Sequence, residues 1–169
     1  MRQMDHKDGS PCLVGLDDPD RGLLRIVPKQ DGAKNGAMAY LIAYLVCILV
    51  MGGLDFLWLS NTSDPLYHRD LGPLLADNPN MTVAVIFYLV FNVGILIFAV
   101  RPALASGDWR VAALYGALFG FFAYATYDLT NFATMKVWTL RVTLLDIAWG
   151  TFLTGTVAGA ASMGALKFR

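Results

Sequence analysis

The sequence predicts an all-α protein, an integral membrane bundle of four helices. Three observations support this fold class. Hydrophobic residues make up 56% of the 169 residues, whereas soluble domains are about 45–50% apolar. These residues are concentrated in four long runs, each with roughly the 20 apolar residues that a helix needs to cross a bilayer. The segments between the runs are rich in turn-forming and charged residues.

The first 37 residues differ in composition from the rest of the chain. They contain many Gly, Asp, Pro and Lys residues and only short apolar pieces, so they lack the continuous apolar core of a signal peptide. This composition predicts a disordered tail. A second interpretation is that Met38, immediately before the first apolar run, is the true start and that the tail is not part of the native protein. The sequence leaves both interpretations open.

Residues 38–169 form the predicted membrane domain. We predict four spans, at about residues 38–59, 81–100, 110–131 and 142–166. The second span closes with Arg101-Pro102, a typical helix end. The longest connection, residues 60–80, has no evident structure, and its segment Tyr67-His68-Arg69-Asp70 could fold over the ends of the helices.

The basic residues near the span ends predict which side of the membrane the termini face. Seven lie on the side of the termini, namely Arg25, Lys29, Lys34, Arg101, Arg110, Lys167 and Arg169. Three lie on the opposite side, namely Arg69, Lys136 and Arg141. By the positive-inside rule, this distribution predicts both termini in the cytoplasm. If Met38 is the start, the count becomes four against three, and the orientation is left open.

Two pairs of glycines predict how the helices pack. Gly116 and Gly120 in the third span, and Gly155 and Gly159 in the fourth, both have the G-x-x-x-G spacing. Such pairs let two helix backbones approach closely within a membrane. The third and fourth spans are therefore predicted to pack on each other, or alternatively to form a homodimer through either glycine pair.

Three aspartates are the candidate catalytic residues. Asp55, Asp128 and Asp146 all fall within a turn or two of the same end of the bundle, whichever way the protein faces. A carboxylate at membrane depth is costly and marks a candidate functional site. The helix dipole favours Asp146 near the start of its span and opposes Asp55 and Asp128 near the ends of theirs. The latter two are therefore expected to need partners.

Seven further polar or aromatic residues are candidates for substrate binding at this end. Asn131 and Tyr124 lie three and four residues from Asp128, on one helical face. The loops contribute positive or titratable groups, and two D-x-x-W segments each place an indole near an aspartate. The set is Tyr124, Asn131, Lys136, Arg141, His68, Trp58 and Trp149. The alternative is structural: the tryptophans form an interfacial belt, and the aspartates pair with Lys136 and Arg141.

The three motif blocks together resemble a known family. They are Gly53-x-Asp55-x-x-Trp58-Leu59, Tyr127-Asp128-Leu129-Thr130-Asn131 with Lys136 and Trp138, and Asp146-x-x-Trp149-Gly150. As a set they are similar to the uncharacterised bacterial membrane family called domain of unknown function 2177, over residues 38–168. The resemblance implies a small multi-pass protein of the bacterial cytoplasmic (inner) membrane. The resemblance implies no particular activity for this chain.

Several function classes are disfavoured. With 13 basic and 13 acidic residues, nothing points to nucleic acid. His6 and His68 lie outside the apolar runs, which disfavours a haem held by histidines inside the bundle. No lysine lies within a span, which disfavours a retinal Schiff base. No residue spacing matches a metal-ligand pattern. We therefore expect neither a cofactor nor a bound metal.

Three hypotheses for the function stay open, and the sequence does not decide whether the protein is an enzyme. The first is an acid-rich polar pocket at the outer interface that binds or modifies a lipid or small amphiphile, with membrane lipids as partners. The second is a non-catalytic accessory or assembly subunit of a membrane complex. The third is a small dimeric transporter, although only Asn92 offers a polar group at mid-membrane.

Overall fold

The computed structural model describes residues 30–76 and 78–168, and within this part every regular element is helical. Residues 1–29, and with them most of the predicted tail, lie outside the described part. The all-α class predicted from the sequence is therefore confirmed for the part of the chain that is described.

Four long helical segments run through the described chain. The first begins with α1 (Gln30–Thr62) and continues through a π-helical turn (Ser63–His68), α2 (Arg69–Leu71) and a 3-10 turn (Gly72–Leu74). The second consists of α3 (Met81–Ile95), a π-helical turn (Leu96–Val100) and α4 (Arg101–Ser106). The third is α5 (Trp109–Thr134), and the fourth is α6 (Leu140–Ala165), followed by a 3-10 turn (Leu166–Phe168). Residues 63–74 are called the loop segment below.

The observed helices are longer than the predicted spans. α1 begins at Gln30 rather than near Met38, because hydropathy locates the part of a helix that matches the bilayer and not the helix ends. The connection predicted without structure from residue 60 is largely helical up to Leu74. Pro102 does not end the second segment, since the π-helical turn Leu96–Val100 immediately before it adapts the hydrogen-bond pattern to the missing N–H.

Capping residues set the starts of the later helices. The side chain of Asn80 accepts a hydrogen bond from the backbone N–H of Val83 (3.2 Å), and that of Asp108 accepts one from Arg110 (2.9 Å). Thr139 does the same at the start of α6. Each bond satisfies a backbone donor that the first helical turn leaves free.

The closest helix packing is between α5 and α6, and it uses the glycine pairs. A Cβ added at Gly120 would collide with the carbonyl oxygen of Gly150, and one added at Gly116 would lie 2.6 Å from the Ala158 Cβ. Gly155 lies against Ala113 and Ala117 of α5. The prediction that the third and fourth spans pack on each other is confirmed. A homodimer through the same glycines stays a prediction.

The other helices surround this pair. α1 packs along α6, while α5 contacts the second segment mainly through the π-helical turn and α4. Nearer its start, α3 meets α5 through aromatic rings, with the Phe91 and Phe119 centroids 5.2 Å apart. At the end where α3 begins, aromatic side chains therefore connect it to α5.

Three helical segments are long and apolar enough to cross a membrane: Gly36–Leu74, Met81–Ser106 and Leu140–Phe168. α5 is not among them, because its second half carries Tyr124, Thr126, Asp128, Thr130 and Asn131. Large hydrophobic side chains are exposed on the helix surfaces, which is typical of a protein whose surroundings are apolar.

Candidate functional site

The three aspartates lie at one depth inside the same end of the structure. Asp55 is seven residues before the end of α1, Asp128 six before the end of α5, and Asp146 six after the start of α6. At 1.5 Å per residue, each is about 9–11 Å from its helix end. Because the dipole acts within the terminal turn, the predicted dipole contrast among the three is wrong. All three are buried: Asp55 is 8% exposed, Asp128 0% and Asp146 9%.

Asp55 joins three helices. One oxygen, Oδ1, accepts a hydrogen bond from the Trp149 indole Nε1 of α6 at 3.0 Å. The other, Oδ2, accepts a short hydrogen bond from the Tyr88 hydroxyl of α3. Both oxygens of this buried carboxyl therefore have donors, so its burial is compensated by hydrogen bonding.

Asp146 is connected to the loop segment. Its Oδ1 accepts a short hydrogen bond from the Tyr67 hydroxyl. The same hydroxyl oxygen accepts a hydrogen bond from the Trp58 indole Nε1 of α1 at 3.0 Å. Tyr67 thus connects α6 to α1 through its hydroxyl, and these hydrogen bonds hold the loop segment against this end of the helices.

The two D-x-x-W segments interlock. The rings of Trp58 and Trp149 are stacked, with centroids 4.4 Å apart and an interplanar angle of 9°. Each indole N–H points toward the aspartate of the other segment, directly to Asp55 in one case and through Tyr67 to Asp146 in the other. Both tryptophans are therefore held between α1 and α6, an arrangement more specific than a belt at the interface.

Asp128 differs from the other two aspartates. It is fully buried, and neither of its carboxyl oxygens has a hydrogen-bond partner within the described part of the chain. Asp146 lies close enough to interact with it electrostatically. A buried polar group without a partner costs about 1–3 kcal/mol, and more if it is charged. A group that donates hydrogen bonds to the Asp128 carboxyl would therefore remove this cost.

Tyr124 occupies the centre of the group. Its ring lies against the Cα of Gly150, where a Cβ would collide with it. It is within electrostatic range of all three aspartates. A tyrosine hydroxyl both donates and accepts, so Tyr124 is suited to contact a polar group bound among the carboxyls. Asn131, half-buried, follows Asp128 by one turn on α5.

The structure does not bring the three predicted basic or titratable loop residues to the aspartates. Arg141 lies 3.8 Å from a carboxylate oxygen of Asp70. His68 is exposed and pairs with Asp64 of its own turn at 3.4 Å. Lys136 is exposed in the turn after α5 and forms no ion pair with any residue that the structure describes.

Sequence reasoning missed Tyr88 and assigned no partner to Tyr67 or Asp70. Tyr88 lies seven residues into α3, about 10 Å from its start, and therefore at the depth of Asp55. That common depth is a signal in the sequence that could have identified it. Asp70 accepts a hydrogen bond from Thr139, the residue that caps α6, at 3.2 Å. This second tether of the loop segment depends on a fold that sequence spacing does not reveal.

Among the grooves on the surface of the described residues are two that no carboxylate lines. One, of about 370 Å³, runs along α5 and α6 between Trp109 and Met163. The other, of about 220 Å³, lies between α1 and α3 and includes Tyr88 and Asn92. Within the described residues, no three His, Cys, Asp or Glu side chains are grouped closely enough to hold a metal ion.

The aspartate end has unused acceptors and unused donors. Both Asp128 oxygens lack a hydrogen-bond partner among the described residues, and so do two buried donors at this end, Asn131 Nδ2 and Trp138 Nε1. The basic residue Arg141 pairs with Asp70 rather than with any of the three aspartates. Such a site suits a group that donates hydrogen bonds, whether neutral or cationic. It is unsuited to a phosphate or carboxylate, which would repel the carboxyls.

Comparison with known proteins adds one finding. Residues 40–163 match the family described as "Predicted membrane protein (DUF2177)". No curated protein and no solved structure matches the chain.

Proposed function

The chain belongs to the DUF2177 family of predicted membrane proteins, and we propose that it binds the polar head of a lipid or small amphiphile at Asp128. The single observation that carries this proposal is the fully buried Asp128 carboxyl with two unpartnered oxygens. The bound head group would supply the missing donors.

The proposed membrane arrangement has four crossings, with α5 as the third. α5 contacts α6 along its length and carries its least apolar residues at the aspartate end, so its neighbours compensate for its lower hydropathy. The distribution of basic residues supports cytoplasmic termini. The aspartates would then lie near the outer face of a bacterial cytoplasmic membrane.

The residues would have different roles. Asp55 and Asp146 have hydrogen-bond donors from Tyr88, Trp149 and Tyr67, and they would hold the helices and the loop segment in position. Asp128 and Tyr124 would contact the ligand. The preferred ligand is a neutral or cationic amphiphile with hydroxyl or amine donors, because both oxygens of the fully buried Asp128 lack a donor and no basic side chain pairs with the three aspartates among the described residues.

No observation favours the two other hypotheses. The accessory-subunit hypothesis depended on pairing of the aspartates with Lys136 and Arg141, and Arg141 pairs with Asp70 instead. The transporter hypothesis depends on a dimer for which nothing specific argues. Whether the bound amphiphile is also modified is a separate question that a cellular assay answers.

The first experiment is to identify the lipids that co-purify with the full chain in mild detergent. The proteins compared are wild type, Asp128→Asn, Asp128→Leu and the control Asp64→Asn, whose carboxylate is 95% exposed in the loop segment. Hydrogen bonds to charged groups contribute about 1.5–3 kcal/mol. We therefore expect an amphiphile retained by wild type and the control to be depleted about ten-fold or more in both Asp128 variants. The same lipid profile in all four proteins would overturn the proposal.

A comparison of whole-cell lipids addresses modification. The strains are wild type, a deletion, and the deletion complemented with Asp128→Asn at equal protein level. A lipid change in the deletion that Asp128→Asn does not reverse would add an enzymatic role. A change that the variant does reverse would exclude Asp128 from that chemistry.

A further inference from the structure

The groove between α1 and α3 has features that the proposed Asp128 site does not use. It is lined by the apolar side chains of Ile48, Val85 and Leu89, together with Gly52, Tyr88 and Asn92. One lining residue, Tyr88, donates a hydrogen bond from its hydroxyl to Asp55 at the polar end. Exposed side chains on both flanking helices, such as Leu49 and Ile86, place the groove on the surface that faces the lipid. It therefore leads from the lipid-facing surface to the polar end.

Asn92 makes this groove more than an apolar surface feature. The residue is 1% exposed, and its Nδ2 donates to the backbone carbonyl of Tyr88 at 2.8 Å. Its Oδ1 has no partner within the described chain. Asn92 is eleven residues into α3, about 16 Å from the helix start and near the middle of a bilayer core that is about 30 Å thick. Lipid tails offer no donors there.

We propose that the groove holds the alkyl chain of an amphiphile with a hydroxyl group part-way along the chain, and that this hydroxyl donates a hydrogen bond to Asn92 Oδ1. This inference deepens the proposed function and rests on it for the position of the polar head. Asn92 is one helical turn below Tyr88, about 6 Å along the axis. The chain hydroxyl is therefore a few carbon atoms from the head.

The size of the groove agrees with a chain rather than a whole ligand. Sites for drug-sized ligands enclose about 300–1,000 Å³, and this groove has about 220 Å³. Its only uncompensated polar atom among the described residues that line it is an acceptor, so a chain with a donor is preferred over a plain alkyl chain.

Gly52 and Gly53 provide a matched pair of variants. Gly52 lines the groove and Gly53 does not. A Cβ added at either residue meets nothing within 4 Å, so neither substitution forces the helix backbone to move. Gly52→Phe should fill the groove, whereas Gly53→Phe adds the same side chain on a neighbouring face.

The test uses two photoactivatable probes on the full chain in lipid nanodiscs, with the labelled residues mapped by mass spectrometry. The probes are 1,6-hexadecanediol and 1-hexadecanol, each with a diazirine at the same position near the middle of the chain. We expect the diol to label the Ile48, Val85 and Leu89 region about two- to ten-fold more than the mono-alcohol, as one net hydrogen bond predicts. Asn92→Leu should abolish this preference. Gly52→Phe should remove labelling by both probes, and Gly53→Phe should leave it unchanged.

Equal labelling of the groove by both probes in the wild type would overturn the inference, as would undiminished labelling of folded Gly52→Phe. If Gly52→Phe does not fold, the Asn92→Leu comparison decides alone. Asp128→Asn separates the two proposals. If the co-purified lipids do not depend on Asp128 but the diol preference persists, the proposed function is wrong and the inference about the groove is retained. If the lipids depend on Asp128 but the two probes label the groove equally, only the inference about the groove is wrong.

Discussion

Replacing Asp128 and Asp55 by leucine should change stability in opposite directions, although both are buried aspartates at one depth. Asp128 has no hydrogen-bond partner at either oxygen within the described chain, whereas Asp55 accepts hydrogen bonds from Trp149 and Tyr88. Leucine has the same branched side-chain skeleton as aspartate, with two methyl groups in place of the two oxygens. In Asp128→Leu it therefore removes an uncompensated group, and in Asp55→Leu it leaves two donors without an acceptor.

The magnitudes follow from these contacts. An unsatisfied buried polar group costs about 1–3 kcal/mol, so Asp128→Leu should raise the free energy of unfolding by about that amount. Each hydrogen bond to a charged group contributes about 1.5–3 kcal/mol. Because Tyr88 is only half-buried, we expect Asp55→Leu to lower the free energy of unfolding by about 3 kcal/mol, the low end for two such bonds.

Thermal unfolding in mild detergent, followed by tryptophan fluorescence, measures both effects. For a chain of this size, 1 kcal/mol corresponds to about 2–4 °C in Tm. We expect a rise of about 2–12 °C for Asp128→Leu and a fall of about 6–12 °C for Asp55→Leu. The exposed control Asp64→Leu should change stability by less than about 0.5 kcal/mol. Bound amphiphile must first be exchanged by extensive detergent washing. A fall in Tm for washed Asp128→Leu equal to that for Asp55→Leu would refute the assignment of Asp128 as unpartnered.

Two further predictions test the contacts around the site. Tyr67→Phe removes the donor to Asp146 and the acceptor for Trp58. It should therefore lower the free energy of unfolding by about 2 kcal/mol and speed amide hydrogen exchange across residues 63–74. Unchanged exchange there would mean that this tyrosine does not hold the loop segment. Gly120→Ala should destabilise the protein by about 1–3 kcal/mol, because the added Cβ would collide with the backbone of α6. In the control variant Gly52→Ala, the added Cβ meets nothing within 4 Å. This variant should be neutral or stabilise the protein by up to about 1 kcal/mol. Tm shifts of the same sign for the two alanine variants would contradict the observed α5–α6 packing.

The interlocked D-x-x-W segments give the site its rigidity. The Trp149–Asp55 and Trp58–Tyr67 hydrogen bonds both connect α1 to another element, and the Trp58 and Trp149 rings are stacked on each other. A side chain held from two directions keeps its geometry when the surrounding lipid moves. Asp55 and Asp146 are therefore held in fixed positions near Asp128, which is unpartnered within the described chain.

Sequence alone was sufficient for the features that depend on period and composition. Apolar runs predicted the helices, the G-x-x-x-G pairs predicted the α5–α6 contact, and connectivity predicted that the three aspartates share one end. These properties follow from the 1.5 Å rise per residue and from the rule that successive spans reverse direction. They were not sufficient for the helix ends, because helical hydrogen bonding continues into the loops beyond the apolar runs.

Only the tertiary structure decided which aspartate is left without a donor. Asp55, Asp128 and Asp146 look alike in the sequence, and nearby charged loop residues are their obvious candidate partners. The partners found are tyrosines and tryptophans from other elements, 33 residues away for Tyr88 and 94 for Trp149. Such pairs depend on how each helix is rotated about its axis and on how the loop segment folds back. These rotations are set by packing over the whole molecule, so the depth of a carboxylate is encoded locally while its hydrogen-bond partner is not.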